Sequence, residues 1–131
     1  VRAMLLIFWV GLGGALGAVG RYLLTALVNQ TSLGPWKLGT LSVNLIGCFL
    51  FGLIWAKADV KLQLEGPMAI ALLGGFLGAF TTFSTFAFQT VALARQGDYF
   101  WAGLNLFAHN GLGIAMVFAG LAAAGGLTPP D

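Results

Sequence analysis

The polar groups that could do chemistry in this chain lie inside its apolar stretches. The densest group is Gly74–Gln89, which reads Gly-Gly-Phe-Leu-Gly-Ala-Phe-Thr-Thr-Phe-Ser-Thr-Phe-Ala-Phe-Gln. Glycines let helix backbones approach closely. A local helix break frees carbonyls, and membrane depth tolerates this only where protein or a water-filled path covers them. Phe83 and Phe86 are three apart and share one helical face, with the small hydroxyls of Ser84 and Thr85 beside them. This mixture suits the wall of a narrow path better than a lipid-facing anchor. Asn44 and Thr40, four residues apart, share another face. A buried amide needs a partner in lipid, so Asn44 is either interhelical glue or a pore-facing donor. Asn105 and His109 are also four apart, with Asn110 following. His109 is the only histidine and has no carboxylate or cysteine at ligand spacing. A hydrogen-bonded structural role therefore suits it better than metal ligation.

The absent chemistry narrows the field. The four acids, Asp59, Glu65, Asp98 and Asp131, all fall in expected loops or the tail. A proton-coupled exporter of the small four-helix type needs an intramembrane acid, which makes that rival a poor fit. There is also no acid–base pair or activated nucleophile for catalysis, so the chain reads as a protein other than an enzyme. Amides, hydroxyls, one histidine and aromatic rings remain. They offer hydrogen bonds without a fixed full charge, which suits a small anion that must bind and then leave. The positive edge of a phenyl ring adds a weak attraction.

Positioning these groups falls to elements that composition assigns to a membrane. Of 131 residues, 59% are hydrophobic and 8% charged, against roughly 25% charged in a soluble domain. Six basic side chains are too few for a nucleic-acid surface. Four spans of about 20 residues or more are expected. They run from about Met4 to Val28, Leu38 to Ala56, Pro67 to Ala94 and Phe100 to Ala124, in a single transmembrane domain over 1–131. Loops fall at Asn29–Trp36, Lys57–Gly66 and Arg95–Asp98, and Thr128-Pro129-Pro130 forms a tail. The apolar N-terminal run has no small-residue cleavage site after a short core, so it reads as a retained first span. Cys48, alone in an apolar segment, reads as a small hydrophobe. Gly13 and Gly17 form a small-xxx-small face for close helix contact. Arg21 either snorkels to the interface or caps carbonyls near a pore mouth. Four spans put Arg2, Lys57 and Lys61 on one side, and Lys37, Arg95 and Arg21 on the other. Equal counts choose no orientation. They are either a noisy sample of few charges or the mark of insertion in both directions.

Three motifs carry a resemblance. Gly-Gly-x-x-Gly-Ala-x-x-Arg-Tyr at 13–22, Gly-Thr-Leu-x-Val-Asn-x-x-Gly at 39–47, and Gly-Phe-Leu-Gly-x-Phe-Thr-Thr-Phe-Ser-Thr-Phe at 75–86 resemble the CrcB/Fluc fluoride channels. The resemblance implies an all-α membrane protein of four transmembrane helices with a break in the third. It implies an antiparallel dual-topology dimer in the inner membrane, with two pores that export fluoride passively and a central structural Na⁺. By motif, Phe83, Phe86 and Asn44 match the pore residues, and Ser84 and Thr85 the hydroxyls after the break. Gly78 and Thr81 match the carbonyl donors to Na⁺, and Arg21 the arginine ending the first span. Thr40, on the face of Asn44, is read from its spacing as either a pore-vestibule residue or a structural one. The chain departs from many relatives at Ala87 and Gln89, where they have serine and glutamate, and at Leu112-Gly113, where they have Gly-Ser. Asn110, one turn away, is the candidate replacement for the missing hydroxyl. Both phenylalanines and Asn44 are retained, which favours a homodimer over one chain of a heterodimer. A non-transporting membrane assembly subunit is the remaining rival.

Overall fold

An apolar segment in lipid must satisfy its own backbone, and a helix does so within one stretch of chain. The computed structural model describes residues 1–57 and 67–127, and there it has four helical spans long and apolar enough to cross a membrane. The charged loop expected between the second and third spans, and the Thr128-Pro129-Pro130 tail, lie outside the described residues. Helix α1 (Arg2–Val28) has 27 residues, about 40 Å at the usual rise. Helix α2 covers Gly39–Lys57. The third span divides into α3 (67–80) and α4 (Phe83–Arg95). Helix α5 (Tyr99–Ala123) completes the set. Between α3 and α4 the backbone is extended at Thr81 (φ −85°, ψ 159°) and Thr82 (φ −150°, ψ 112°). Two stretches are π-wound, Ile70–Leu77 in α3 and Ala108–Leu112 in α5. Such widened turns often occur at functional positions.

The α1–α2 connection is a small hairpin rather than a plain loop. β1 (Ser32–Leu33) pairs antiparallel with β2 (Trp36–Lys37), Leu33 opposite Trp36. Gly34 supplies the positive φ of +59° that a two-residue turn needs. Asn29, at the end of α1, accepts a hydrogen bond from the Gly39 N–H at 2.9 Å, tying the start of α2 to it.

Helix pairing follows the glycines. A Cβ at Gly13 or Gly17 would meet the backbone carbonyls of Ala71 and Phe76, so α1 lies against the π-wound part of α3. On the other side, Gly52 of α2 faces the Val117 carbonyl and Gly120 of α5 faces the Phe49 carbonyl. Small residues let these backbones touch, which is the main attraction left where lipid removes the hydrophobic drive. A second cluster joins Trp36 and Leu41 to Leu93, Ala102 and Ala108, seating the hairpin against α4 and α5. Along α1, Ile7, Phe8, Leu16, Val19 and Leu23 remain exposed.

Candidate functional site

The extended Thr81-Thr82 pair organises the polar groups. In a continuous helix the Thr82 N–H would reach the Gly78 carbonyl, four residues back. Here it donates to Asn44 Oδ1 at 2.8 Å, while Asn44 Nδ2 donates to the Thr82 carbonyl at 3.1 Å. The amide thus pairs with Thr82 as a neighbouring backbone would. The glue role of Asn44 is filled, and one Nδ2 hydrogen remains for a further acceptor. The Thr82 hydroxyl accepts from the Thr85 N–H at 3.3 Å and donates to Thr85 Oγ1 at 3.0 Å, with Ser84 Oγ 3.3 Å away. Ser84 and Thr85 therefore complete the N-cap of α4. On the α3 side, the Thr81 N–H and hydroxyl both donate to the Leu77 carbonyl at 3.0 Å. Arg21 Nη1 approaches the Thr81 carbonyl at 3.4 Å.

A groove of about 320 Å³ opens beside this pair. It brings together Asn44, Gly78, Thr81, Phe83, Phe86 and Asn110, candidate site residues from three different spans. No Asp, Glu, Lys or Arg lies among its described walls. Phe83 and Phe86 meet edge to face at 5.3 Å and 67°. Phe86 is buried, whereas Phe83 is 76% exposed. Asn110 Nδ2 donates back to the Leu106 carbonyl of its own helix at 2.7 Å, leaving its carbonyl oxygen and one N–H toward the exposed side. Ser84, Thr85, Thr40 and Arg21 stand outside the groove wall. Thr40 is buried and accepts from Gln89 Nε2 at 2.8 Å, a second stitch between α2 and α4.

A further network lies behind Phe86. Asn105 is fully buried; its Oδ1 accepts from Trp36 Nε1 at 2.8 Å, and its Nδ2 donates to Thr90 Oγ1 at 2.8 Å. The Asn105 backbone carbonyl lies 2.9 Å from His109 Nδ1, and the His109 ring stacks on Phe86 at 4.5 Å. Asn105 and His109 stand out in the sequence by their spacing, whereas Trp36 lies in an expected loop and does not. The available signal was that a buried indole N–H needs an acceptor.

Four apolar helical spans and a groove lined by neutral polar groups define a small multi-pass membrane protein. Residues 8–121 match the family described as CrcB-like protein, Camphor Resistance (CrcB), and the chain belongs to that family. It is 44% identical over 112 residues to a fluoride-specific ion channel FluC of Nitrosococcus oceani, covering 86% of this chain and 90% of the relative. A protein of the same name from Nitratidesulfovibrio vulgaris is 41% identical, with 86% and 90% covered. The namesake from Geobacter sulfurreducens is 40% identical, with 92% and 98% covered. This is a family of ion channels and not of enzymes.

Proposed function

We propose that this chain is a fluoride-selective channel that lets fluoride leave the cell passively across the inner membrane. It works as an antiparallel dimer of identical chains, with two pores at the interface. The observation that carries this reading is the edge-to-face pair Phe83–Phe86 beside Asn44, on a groove whose described walls hold no ionised acid or base of the Asp, Glu, Lys or Arg type. It is found in a chain whose relatives bear the name fluoride-specific ion channel.

A fluoride ion entering such a groove gives up water and needs donors in exchange. Neutral N–H groups and the positive edges of phenyl rings provide them without holding the anion as a fixed cation would. The free N–H of Asn44 and the amide of Asn110 are the donors in reach of that path. The exposure of Phe83 supports a second copy over this face, since a paired pore phenylalanine is better covered by protein than by lipid. The equal basic charge on the two sides supports insertion in both directions.

The residues at the break also suit a monovalent cation. Because the Thr82 N–H turns to Asn44, the Gly78 carbonyl lacks its usual helical donor, and the Thr81 carbonyl receives only the long contact from Arg21. Carbonyl oxygens are the ligands a hard cation takes. Gly78 and Thr81 of two chains would hold a shared Na⁺, whose charge raises the local potential for anions.

The test is efflux from liposomes containing this protein alone, read with fluoride and chloride electrodes in parallel. Rapid fluoride release with chloride retained is expected. Equal release of both halides, or none from protein shown to be folded, defeats the proposal.

A further inference from the structure

His109 holds a place that the ion path alone does not explain. Its ring forms part of the groove wall, stacked on Phe86 with centroids 4.5 Å apart and an angle of 29°. Nδ1 lies 2.9 Å from the Asn105 backbone carbonyl. A carbonyl only accepts, so Nδ1 must carry the hydrogen. The neutral ring therefore presents a bare lone pair at Nε2. That atom is buried and has no hydrogen-bond partner among the described residues. The ring also faces the backbone carbonyl of Thr40. The Oε1 of Gln89, whose Nε2 donates to Thr40 Oγ1, is buried without a partner as well.

Adding a proton at Nε2 reverses this mismatch. Both ring nitrogens then carry a hydrogen, Nδ1 donating to the Asn105 carbonyl, and the buried Nε2 no longer holds a bare lone pair. The cationic ring also lies against the face of Phe86, a placement that favours positive charge. From this geometry we infer that His109 is the proton-dependent anion-attracting residue of this channel. Protonated, it places a full positive charge on the groove wall against Phe86 and draws fluoride into the groove. Neutral, it carries no charge to attract an anion. The inference rests on the proposed fluoride path and adds a residue and a control to it.

The neighbouring groups leave His109 as the titrating charge. From α2, Thr40 and Asn44 are neutral, and the Cys48 thiol is the other titratable group on the groove. From α4, Phe86 and Gln89 are neutral, and α5 itself contributes Asn105 and Asn110. Arg21 of α1 is permanently charged and is engaged at the Thr81 carbonyl. No carboxylate reaches the groove from any described element.

The sign follows directly. Flux is high where the imidazole is protonated and falls as pH rises through its midpoint, by about tenfold per unit for a one-proton site, until the neutral channel's floor is reached. The experiment is fluoride efflux from liposomes with equal pH on both sides, stepped from acidic to mildly alkaline. Protein-free vesicles are run in parallel to subtract HF that crosses lipid unaided. His109→Gln, which keeps an amide donor but cannot titrate, should flatten the profile, and His109→Ser should do the same. A wild-type flux that is fluoride-selective but constant with pH overturns the inference and leaves the channel reading intact. A slope that persists unchanged in His109→Gln also overturns it. No fluoride flux from folded protein at any pH overturns both.

Discussion

Asn44 gives both ends of its amide to Thr82, so its replacement tests structure and permeation together. In Asn44→Asp the carboxylate still accepts from the Thr82 N–H but faces the Thr82 carbonyl with no donor, and it brings negative charge to the groove. Fluoride flux should fall to the background of protein-free liposomes, with a loss of stability of about 1–3 kcal/mol from the unpaired carbonyl. Efflux and a thermal melt in detergent measure the two effects. Phe86→Ile acts differently. It keeps an apolar side chain but removes the ring edge facing Phe83 and the ring face under His109. Flux should be lost while the protein stays folded, and unchanged flux would remove Phe86 from the path. The sequence showed that Asn44 needed a partner. It could not show which, because Thr82 is 38 residues away.

Among the elements, α2 and the C-terminal half of α5 depend on two glycines that face each other's carbonyls. A Cβ at Gly52 would collide with the Val117 carbonyl, and one at Gly120 with the Phe49 carbonyl. Gly120→Ala should push the helices apart and lower stability by roughly 1–3 kcal/mol, the usual range for overpacking. An unchanged melting temperature would show that the pair can shift freely. The β1–β2 hairpin offers a second test. Trp36→Phe keeps most of the ring but strands Asn105 Oδ1 in a fully buried site, so it should destabilise the α4–α5 end by about 1–3 kcal/mol. Hydrogen exchange at Leu104 and Ala102 would report this locally. The small-xxx-small face was legible at Gly13 and Gly17 because the spacing itself makes the face. The hairpin contact was not, because turn residues announce a reversal of the chain without saying where it docks.

For the whole molecule, the balance of charge makes a prediction about insertion. Gln30 and Ser32 lie exposed between α1 and β1 and the start of the ladder. Gln30→Lys with Ser32→Lys adds two positive charges to one side only, which should hold that side in the cytoplasm. Terminal reporter fusions should then change from a signal in both compartments to a signal in one. Fluoride flux should fall several-fold, since antiparallel partners become scarce. Co-expression with a variant biased the opposite way should restore it. Flux unaffected by a single orientation would argue for a parallel assembly and against the dimer proposed above.

Four helical membrane spans can be read from the residues alone, because apolar length and scarce charge are local properties that lipid converts directly into helices. The family can be read the same way, through motifs that are continuous in the chain. The partners of the buried polar atoms emerge only from the packing of the helices. Thr82 turns its N–H to Asn44 rather than to Gly78, Trp36 finds Asn105, and His109 stacks on Phe86 with its Nδ1 committed to a carbonyl. Asn44, Asn105 and His109 sit on helix faces that periodicity marks, but Thr82 and Trp36 lie in extended backbone that periodicity does not place. In lipid a polar group must take whichever partner the packing brings within reach, and glycine-to-carbonyl contacts set that packing between segments far apart in the chain.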